Sequence, residues 1–374
     1  MKLIYQIFLL AIFLISCKSE QQKQFEKNII GEWNFAKDVE LHIDKNQDYD
    51  EPPSPFLSNL GGFIFYKNAT LIDKLGFFNW DEEKPREERR IVYKGDSTRY
   101  EIDDDSLKIF NPIRKSWNSY KIISITKDTL TIQKHKDYYL KYYNLKYKLN
   151  PSETFDKIII SSSGCYGTCP IMNIQFDKNG KVVYLGEQYN TTDGFFTSSM
   201  SIAEYKTIEN SFKKANIRKL ENSYSADISD QNRVTVTFVK NNKIIKTISD
   251  YASQAPSELI MAYRKAMFKY QQLKLSKFHK NENFPNSAWI NFDENSKQIF
   301  LSQSEKFLLL NEILDAKKVQ SNFKKKYKLI IYNDKDNDFV LESDGRFYKH
   351  QNDIYDLGYN FFDINNLENR TEHF

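Results

Sequence analysis

The sequence predicts a β-rich α+β protein: an N-terminal antiparallel β barrel or sandwich, followed by α+β domains built from hairpins and two or three helices. Short segments of alternating apolar and polar residues recur between residues 29 and 150, and helical periodicity is nearly absent there. Hairpin and helix patterns alternate after residue 153. The composition agrees, because 24 Tyr and 28 Phe accompany only 12 Gly and 9 Pro, and large rings favour sheet faces. At 374 residues, two or three domains are expected.

The first 17 residues have the layout of a secretory signal. Lys2 precedes an apolar run from Leu3 to Ile15, and Ser16 and Cys17 follow. As a helix, this run would cover only about 20 Å of a hydrocarbon core that is about 30 Å thick. It is therefore too short to span a membrane comfortably.

The tetrapeptide at residues 14–17, LISC, resembles the lipobox of bacterial lipoproteins. The resemblance implies that residues 1–17 form a lipoprotein signal and that Cys17 is the lipid attachment site. Two or three acyl chains would then hold the protein to a membrane of the cell envelope. Lys18 at the next position points to the outer membrane, with the protein facing the periplasm or the cell surface. An ordinary secretory signal or a short membrane helix is the alternative. Residues 18–28 are predicted to be a polar tether.

Charge and composition exclude some classes of function. The 54 basic and 50 acidic residues leave a net charge of only +4, and the lysines are scattered. Nothing therefore indicates nucleic acid as a partner. No constellation of residues indicates a catalytic site, so we expect no enzymatic activity, no cofactor and no metal. The string DKDND at residues 334–338 begins like a calcium loop, but Phe339 stands where that loop needs Gly, which favours a hairpin turn.

The N-terminal domain is predicted over residues 29–150, as about eight or nine strands. At its start, Gly31 and Trp33 match the G-x-W opening of lipocalin-like barrels, and the region resembles the lipocalin-like domains of Bacteroidota lipoproteins. The resemblance implies that Gly31 permits a tight entry into the first strand and that Trp33 plugs the barrel floor. The proline-rich loop at residues 49–55 would cross the open mouth.

Two α+β domains are predicted after the barrel. The first covers residues 153–275 and contains a capping box from Ser201 to Glu204 at the start of a helix. The second covers residues 278–374 and contains a similar box from Ser302 to Glu305. Because a hairpin pattern precedes each box, we interpret the last domain as a degenerate copy of the middle one. A different order of strands around the two helices would contradict this interpretation.

The string GCYGTCPIM at residues 164–172 is the most specific motif of the chain. It resembles the C-x-G-x-C-P signature of an uncharacterised domain family found in Bacteroidota lipoproteins, and the Ser-Asp-Tyr string at residues 249–251 and Pro256 also fit that family. The resemblance covers about residues 156–270 and implies no activity.

Cys165 and Cys169 remain as an even pair if Cys17 carries lipid, and an oxidising compartment favours a disulfide between them. The chain must turn to bring the two sulfurs together, and Gly164 and Gly167 allow this. A redox pair and a metal site are the alternatives. Haem attachment is excluded, because Pro170 follows where a His is required.

These observations favour a non-catalytic envelope lipoprotein that binds something, either an apolar ligand in the barrel or a protein partner on the α+β surface. A thiol–disulfide redox protein using Cys165 and Cys169 is one alternative. A structural or inhibitor protein of the immunity type, acting through a partner, is another. The barrel interior discriminates, because an apolar cavity supports ligand binding and a filled interior supports protein contacts.

Overall fold

The computed structural model describes residues 18–40, 60–278, 288, 290–292, 299–332 and 338–370. The chain forms two compact units, residues 1–78 with 94–147 and residues 79–93 with 148–374. The predicted signal with Cys17, the proline-rich loop and residues 334–337 of the Asp-rich string lie outside the described residues. The predicted fold class, a strand-rich α+β protein with an N-terminal antiparallel barrel, is confirmed.

The first unit is a closed barrel of eight antiparallel strands. Each strand pairs with the next barrel strand along the chain, and the last pairs with the first, so no strand edge is left open. The strands are β1 (Gly31–Glu40), β2 (Gly62–Phe65), β3 (Thr70–Asp73), β6 (Ser97–Asp103), β7 (Ser106–Asn111), β8 (Ser116–Ile125), β9 (Thr129–His135) and β10 (Tyr138–Asn144).

Apolar side chains on the inner face of the barrel pack into one buried cluster around Trp33. Trp33 is fully buried, and its indole nitrogen donates to the carbonyl of Ile29 at 2.6 Å. Phe65 and Tyr100 meet edge to face with ring centroids 4.9 Å apart. Each buried side chain of this size stabilises the fold by about 1.5–3 kcal/mol. Gly31 has a φ of 139°, a conformation that favours glycine at the entry to β1.

Helix α1 (Glu20–Asn28) occupies most of the segment that the sequence predicts as a polar tether, residues 18–28. The hydroxyl of Ser19 caps it by accepting from the backbone N–H of Gln22 at 3.0 Å. The Gln22 side chain also donates to a backbone carbonyl of β6, and Phe25 packs on the barrel core. The wholly polar stretch before Phe25 carries no sequence signal for this helix, which needs only a cap and a few contacts to fold onto the barrel.

A short hairpin of β4 (Phe78–Trp80) and β5 (Ile91–Tyr93) interrupts the barrel sequence, and residues 79–93 belong to the second unit. The side chain of Gln271 holds it. Gln271 accepts from the Tyr93 N–H at 2.7 Å and donates to the Ile91 carbonyl at 2.9 Å. The sequence predicts strands in this part of the chain and the structure forms them, and residues 79–93 cluster with the second unit.

The second unit contains an eight-stranded sheet in the order β15-β17-β16-β11-β12-β13-β14-β18. Helices α2 (Ile202–Lys214) and α3 (Ser257–Met267) cover one of its faces. The strands are β11 (Lys157–Ser162), β12 (Ile171–Asp177), β13 (Lys181–Gln188), β14 (Gly194–Ser199), β15 (Ser223–Tyr224), β16 (Arg233–Lys240), β17 (Lys243–Tyr251) and β18 (Ser276–Lys277). The three central strands have nearly continuous buried runs, as a sheet covered on both faces requires.

Helix α4 (Gln303–Asp315) covers the opposite face of this sheet and packs against β11, β12 and β16. A second, six-stranded sheet and the short helix α5 (Phe361–Ile364) share its apolar core. That sheet has the order β19-β21-β22-β23-β24-β20. Its strands are β19 (Ile290–Phe292), β20 (Lys317–Val319), β21 (Tyr327–Ile331), β22 (Phe339–Ser343), β23 (Phe347–His350) and β24 (Asp353–Asp356). Among the helices of the described residues, none is long and apolar enough to cross a membrane.

The order of strands around α4 differs from the order around α2. Four strands that lie side by side, β11 to β14, precede α2, whereas four strands that lie side by side, β21 to β24, follow α4. This difference counts against a degenerate repeat at residues 278–374. A local pattern of hairpin and capping box does not specify which strands pair. The boundaries of the three predicted domains stay a prediction.

Candidate functional site

The cysteine loop, residues 163–170, connects β11 to β12 at one end of the eight-stranded sheet. Cys165 and Cys169 form a disulfide with their Cα atoms 5.6 Å apart, within the usual range for such bonds. The disulfide predicted from the sequence is thus present. At the base of the loop, the Ser162 hydroxyl donates to the Pro170 carbonyl at 2.7 Å, and both residues are buried. The loop is closed twice, covalently near its tip and by a hydrogen bond at its base.

Gly167 allows the turn between the two sulfurs. Its φ is 131°, which an L side chain rarely adopts, and the space around its missing Cβ is open. The glycine is therefore required by the backbone and not by a neighbour. The sequence prediction of a turn at this position is correct.

Three hydrogen bonds connect the cysteine loop to the segment that leads into β16 and to the first residue of that strand. The Tyr166 N–H donates to the Asp230 carbonyl at 3.0 Å. The Ser163 N–H donates to the Arg233 carbonyl at 2.9 Å, and the Arg233 N–H donates to the Ser163 hydroxyl at 2.8 Å. The backbone on both sides of Cys165 is thus fixed by the sheet.

Tyr166 lies at the tip of this loop with 88% of its surface exposed. The other large apolar or aromatic side chains exposed in the described part of the chain reach at most 52%. The side chain of Tyr166 is therefore exposed to solvent, whereas its backbone is held in place. The sequence reasoning did not single out Tyr166, although its place between two bonded cysteines puts it at the tip of any closed loop.

Arg233 places a positive charge at this end of the sheet. Its guanidinium lies over the ring of Tyr251, 5.1 Å from the centroid, and donates to the Ser249 hydroxyl at 2.7 Å. The Tyr251 hydroxyl in turn accepts from the Gln231 N–H at 3.1 Å. The stacking and the hydrogen bond hold the charge in one place. Arg233 was also missed by the sequence reasoning, which had no signal for it.

Asp250 lies between Ser249 and Tyr251 in the sequence, and its side chain has a structural role. It is buried and accepts hydrogen bonds from the Tyr263 hydroxyl at 2.8 Å and from the backbone of Gln254 and Ala255. Burial raises the pKa of Asp250 despite these donors. It holds a turn in which Ala252 has a φ of 63°. The Ser-Asp-Tyr string therefore shapes the same end of the sheet as the cysteine loop.

The site combines a disulfide-closed loop with an aromatic and a cationic side chain. The two cysteines precede strand β12 and do not lie at the start of a helix, the position at which redox-active cysteines usually occur. Within the described ranges, no group of three or more His, Cys, Asp or Glu side chains is placed to hold a metal ion. The exposed ring of Tyr166 and the guanidinium held by Tyr251 and Ser249 remain. Tyrosine and arginine are side chains that protein interfaces favour.

The other predicted site residues are elsewhere. Gly31 and Trp33 belong to the barrel of the first unit, where Trp33 is a core residue. Cys17 lies outside the described residues.

A domain family described as "Domain of unknown function (DUF6438)" matches residues 156–269. The match includes the cysteine loop, Arg233 and the Ser-Asp-Tyr string, and it agrees with the resemblance noted in the sequence. No curated protein and no solved structure matches the chain.

Proposed function

We propose that the chain is a non-catalytic envelope lipoprotein, held to the membrane through Cys17, whose cysteine loop binds a protein partner. The observation that carries this proposal is the 88% exposure of Tyr166 at the tip of a loop closed by a disulfide and fastened to the sheet. Exposed tyrosines on rigid loops supply large contact areas at low entropic cost.

Preorganisation explains why the disulfide is there. Closing a loop this short contributes only about 2 kcal/mol to stability in the chain-entropy model, so its main effect is local. A loop already held in its bound shape loses less conformational freedom on association, and this raises affinity. The disulfide and the three hydrogen bonds that hold the loop therefore serve the presentation of Tyr166 more than the stability of the domain.

The interior of the barrel supports a protein partner over an apolar ligand. Its inward side chains form one buried cluster, and aromatic contacts link Phe63, Phe65, Tyr100 and Tyr142 across it. These ring contacts supply hydrophobic stability to the barrel. They favour a structural role for the barrel interior, so we place the proposed activity on the α+β surface.

The proposal is tested by placing a photoactivatable amino acid at position 166 in the native envelope. We expect one dominant crosslinked protein, identified by mass spectrometry. The matched control is position 332, because Tyr332 is 42% exposed in the same unit. Crosslinking at 166 should fall several-fold when Cys165→Ser and Cys169→Ser open the loop. Equal crosslinking at both positions, or none at 166, would contradict the proposal. If one stoichiometric partner is found and its own activity falls on binding, the protein would be an inhibitor of the immunity type.

The partial exposure of both cysteines supports a second candidate, dithiol–disulfide exchange with a partner thiol. It is distinguished by reactivity. Under the leading proposal, the native disulfide resists mild monothiols and alkylating agents do not label the folded protein. Rapid reduction, with a mixed disulfide trapped on Cys165→Ser or Cys169→Ser, would favour redox exchange.

The anchor is tested independently of the loop. Labelled palmitate should enter the protein, and Cys17→Ala should release it from the membrane fraction. The conservative Lys18→Arg variant next to it should behave as the native protein does. If Cys17→Ala leaves the fractionation unchanged, the lipid anchor is wrong even if the cysteine loop binds a partner.

A further inference from the structure

Helix α1 places the barrel close to the proposed lipid attachment site. Only Lys18 separates Cys17 from Ser19, and a residue spans at most about 3.6 Å, so the Cα atoms of Cys17 and Ser19 are at most about 7 Å apart. Ser19 is fixed, because its hydroxyl donates to the carboxylate of Asp104 at 3.0 Å in the turn between β6 and β7. The chain therefore has no room for a flexible stalk between lipid and barrel.

An open groove of about 970 Å³ lies between α1 and the barrel wall, and we call it the basal groove. Its cationic lining residues are Lys18, Lys23, Lys27, Lys67 and Lys108. Its acidic lining residues are Glu26, Glu101 and Asp103. The basal groove thus carries an excess of positive charge at the end of the barrel where the chain meets residue 17.

Three of the five lysines are paired with a carboxylate. Lys18 pairs with Glu26 at 2.7 Å, Lys108 with Asp103 at 2.7 Å, and Lys23 with Glu20 at 2.6 Å. In the ranges that the structure describes, neither Lys27 nor Lys67 forms an ion pair, and both are exposed. Lys27 lies in the last turn of α1 and Lys67 in the turn between β2 and β3, so two separate elements direct free charge toward the same groove.

We propose that the basal groove is a docking surface for the anionic phosphate headgroups of the bilayer that holds the acyl chains of Cys17, so that this end of the barrel lies directly on the membrane. The inference rests on the proposed lipid attachment and goes beyond it, because an anchor alone does not fix an orientation. Two observations support it: the short length of chain between residue 17 and the fixed Ser19, and the charge complementarity between free lysines and phosphate. Lysines within a Debye length of about 8 Å from an anionic surface are attracted to it.

The opposite end of the barrel supplies an internal reference. Antiparallel strands place the turn between β7 and β8 at the end away from the turns that flank the basal groove. Strand β8 has 10 residues, which at about 3.3 Å each and a tilt of about 40° separates the two ends by more than about 20 Å. Arg114, exposed in that turn, therefore lies far from the proposed membrane surface.

The test uses the full acylated protein in vesicles that contain anionic phospholipid and a headgroup-labelled nitroxide lipid. A fluorophore is attached to Asn68→Cys, next to the basal groove, or to Arg114→Cys at the far end. The native cysteines do not react, because one is acylated and two are bonded. We expect the label at 68 to lose most of its fluorescence and the label at 114 to keep it. Equal quenching at both positions, or none at 68, would overturn the docking.

Charge reversal tests the role of the lysines. Lys27→Glu with Lys67→Glu should reduce quenching at position 68 several-fold on anionic vesicles. Lys115→Glu with Lys136→Glu, which changes two exposed lysines at the far end by the same charge, should leave it unchanged. Unchanged quenching in the first variant would mean that the acyl anchor alone sets the geometry, and the headgroup surface would be wrong. A failure of lipid attachment looks different, because the protein would not float with the vesicles at all.

Discussion

Helices α2 and α4 begin with the same motif in very different surroundings. In α2, the Ser201 N–H donates to the Glu204 carboxylate at 2.9 Å, and the Glu204 N–H donates to the Ser201 hydroxyl at 3.2 Å. In α4, the corresponding distances between Ser302 and Glu305 are 2.9 and 3.3 Å. The local geometry is therefore the same to within a tenth of an ångström.

The partners of the two glutamates differ. The side chain of Glu204 is 44% exposed and accepts from Lys269 at 2.9 Å. The side chain of Glu305 is fully buried, accepts from the Arg370 guanidinium at 2.7 and 2.8 Å, and also accepts from the Thr247 hydroxyl at 2.7 Å. The same four-residue pattern is thus a surface cap in one helix and the centre of a buried polar network in the other.

This difference shows that a capping box determines where a helix begins. The surrounding fold determines how much the box contributes to the free energy of unfolding. A surface carboxylate that loses its partner is still solvated. A buried carboxylate that loses its partner keeps its desolvation cost without compensation. The contrast between α2 and α4 can therefore be measured by removing partners from each box in turn.

The largest effect is expected from Arg370→Ala. It leaves the buried Glu305 without its cation, and breaking a buried pair in this way costs about 3–5 kcal/mol. The free energy of unfolding should fall by that amount in urea titration. Hydrogen exchange should show the loss in the peptide that contains α4 and not in the one that contains α2.

The matched control is Arg346→Ala, which removes an arginine from a pair with Asp356 at 2.8 Å on the surface of the same unit. It should cost much less than Arg370→Ala, because water solvates and screens a surface pair in both the folded and the unfolded chain. If the two variants cost the same, burial does not distinguish the two boxes. A repair is also available, since Glu305→Gln combined with Arg370→Met should recover much of the loss by removing both charges together.

The sequence predicts both capping boxes because their signal is local. Ser and Glu three residues apart before an apolar run specify a helix start without reference to the rest of the chain. The alternation of β1 to β10 and the disulfide turn are local in the same sense. The pairing of Arg370 with Glu305 could not be predicted from the sequence, because 65 residues separate them and neither segment carries a pattern that indicates the other.

Long-range pairing also explains the errors. Gln271 lies 178 residues from the backbone that it holds in the hairpin of β4 and β5. The alternating pattern therefore predicts the two strands but cannot predict that Gln271 binds them. Helix α1 was missed because its stability comes from Ser19, Gln22 and Phe25 docking on a barrel that exists only in the folded chain. At the candidate site, the cysteines were predicted from composition and spacing, whereas Arg233 emerged only when strands β16 and β17 were paired.

A smaller effect is expected from removing the serine of each box. Ser302→Ala should cost about 1–2 kcal/mol, because the buried Glu305 N–H loses its acceptor and Ser304 loses a hydroxyl neighbour at 3.2 Å. Ser201→Ala should cost about 0.5–1 kcal/mol, because water can reach the exposed end of α2. The comparison of the two midpoints in urea is the measurement. A larger cost at Ser201 would contradict the view that burial sets the weight of the cap.

The smallest effect concerns the acid response of the exposed box. The hydrogen bond from Lys269, followed by those from the backbone and hydroxyl of Ser201, lowers the pKa of Glu204 from 4.5 to about 2. Because the folded pKa lies below the unfolded one, this contribution is fully present above pH 4.5 and is lost as the pH falls through the folded value. Glu204→Gln should therefore reduce the stability difference between about pH 5 and about pH 3. The reduction should be less than about 1 kcal/mol, because solvent screens the exposed carboxylate.

Urea midpoints at the two pH values measure this effect on stability. Glu221→Gln is the control, because it changes an exposed carboxylate outside the box. If Glu204→Gln keeps the full acid response of the native protein, the exposed box does not contribute to it.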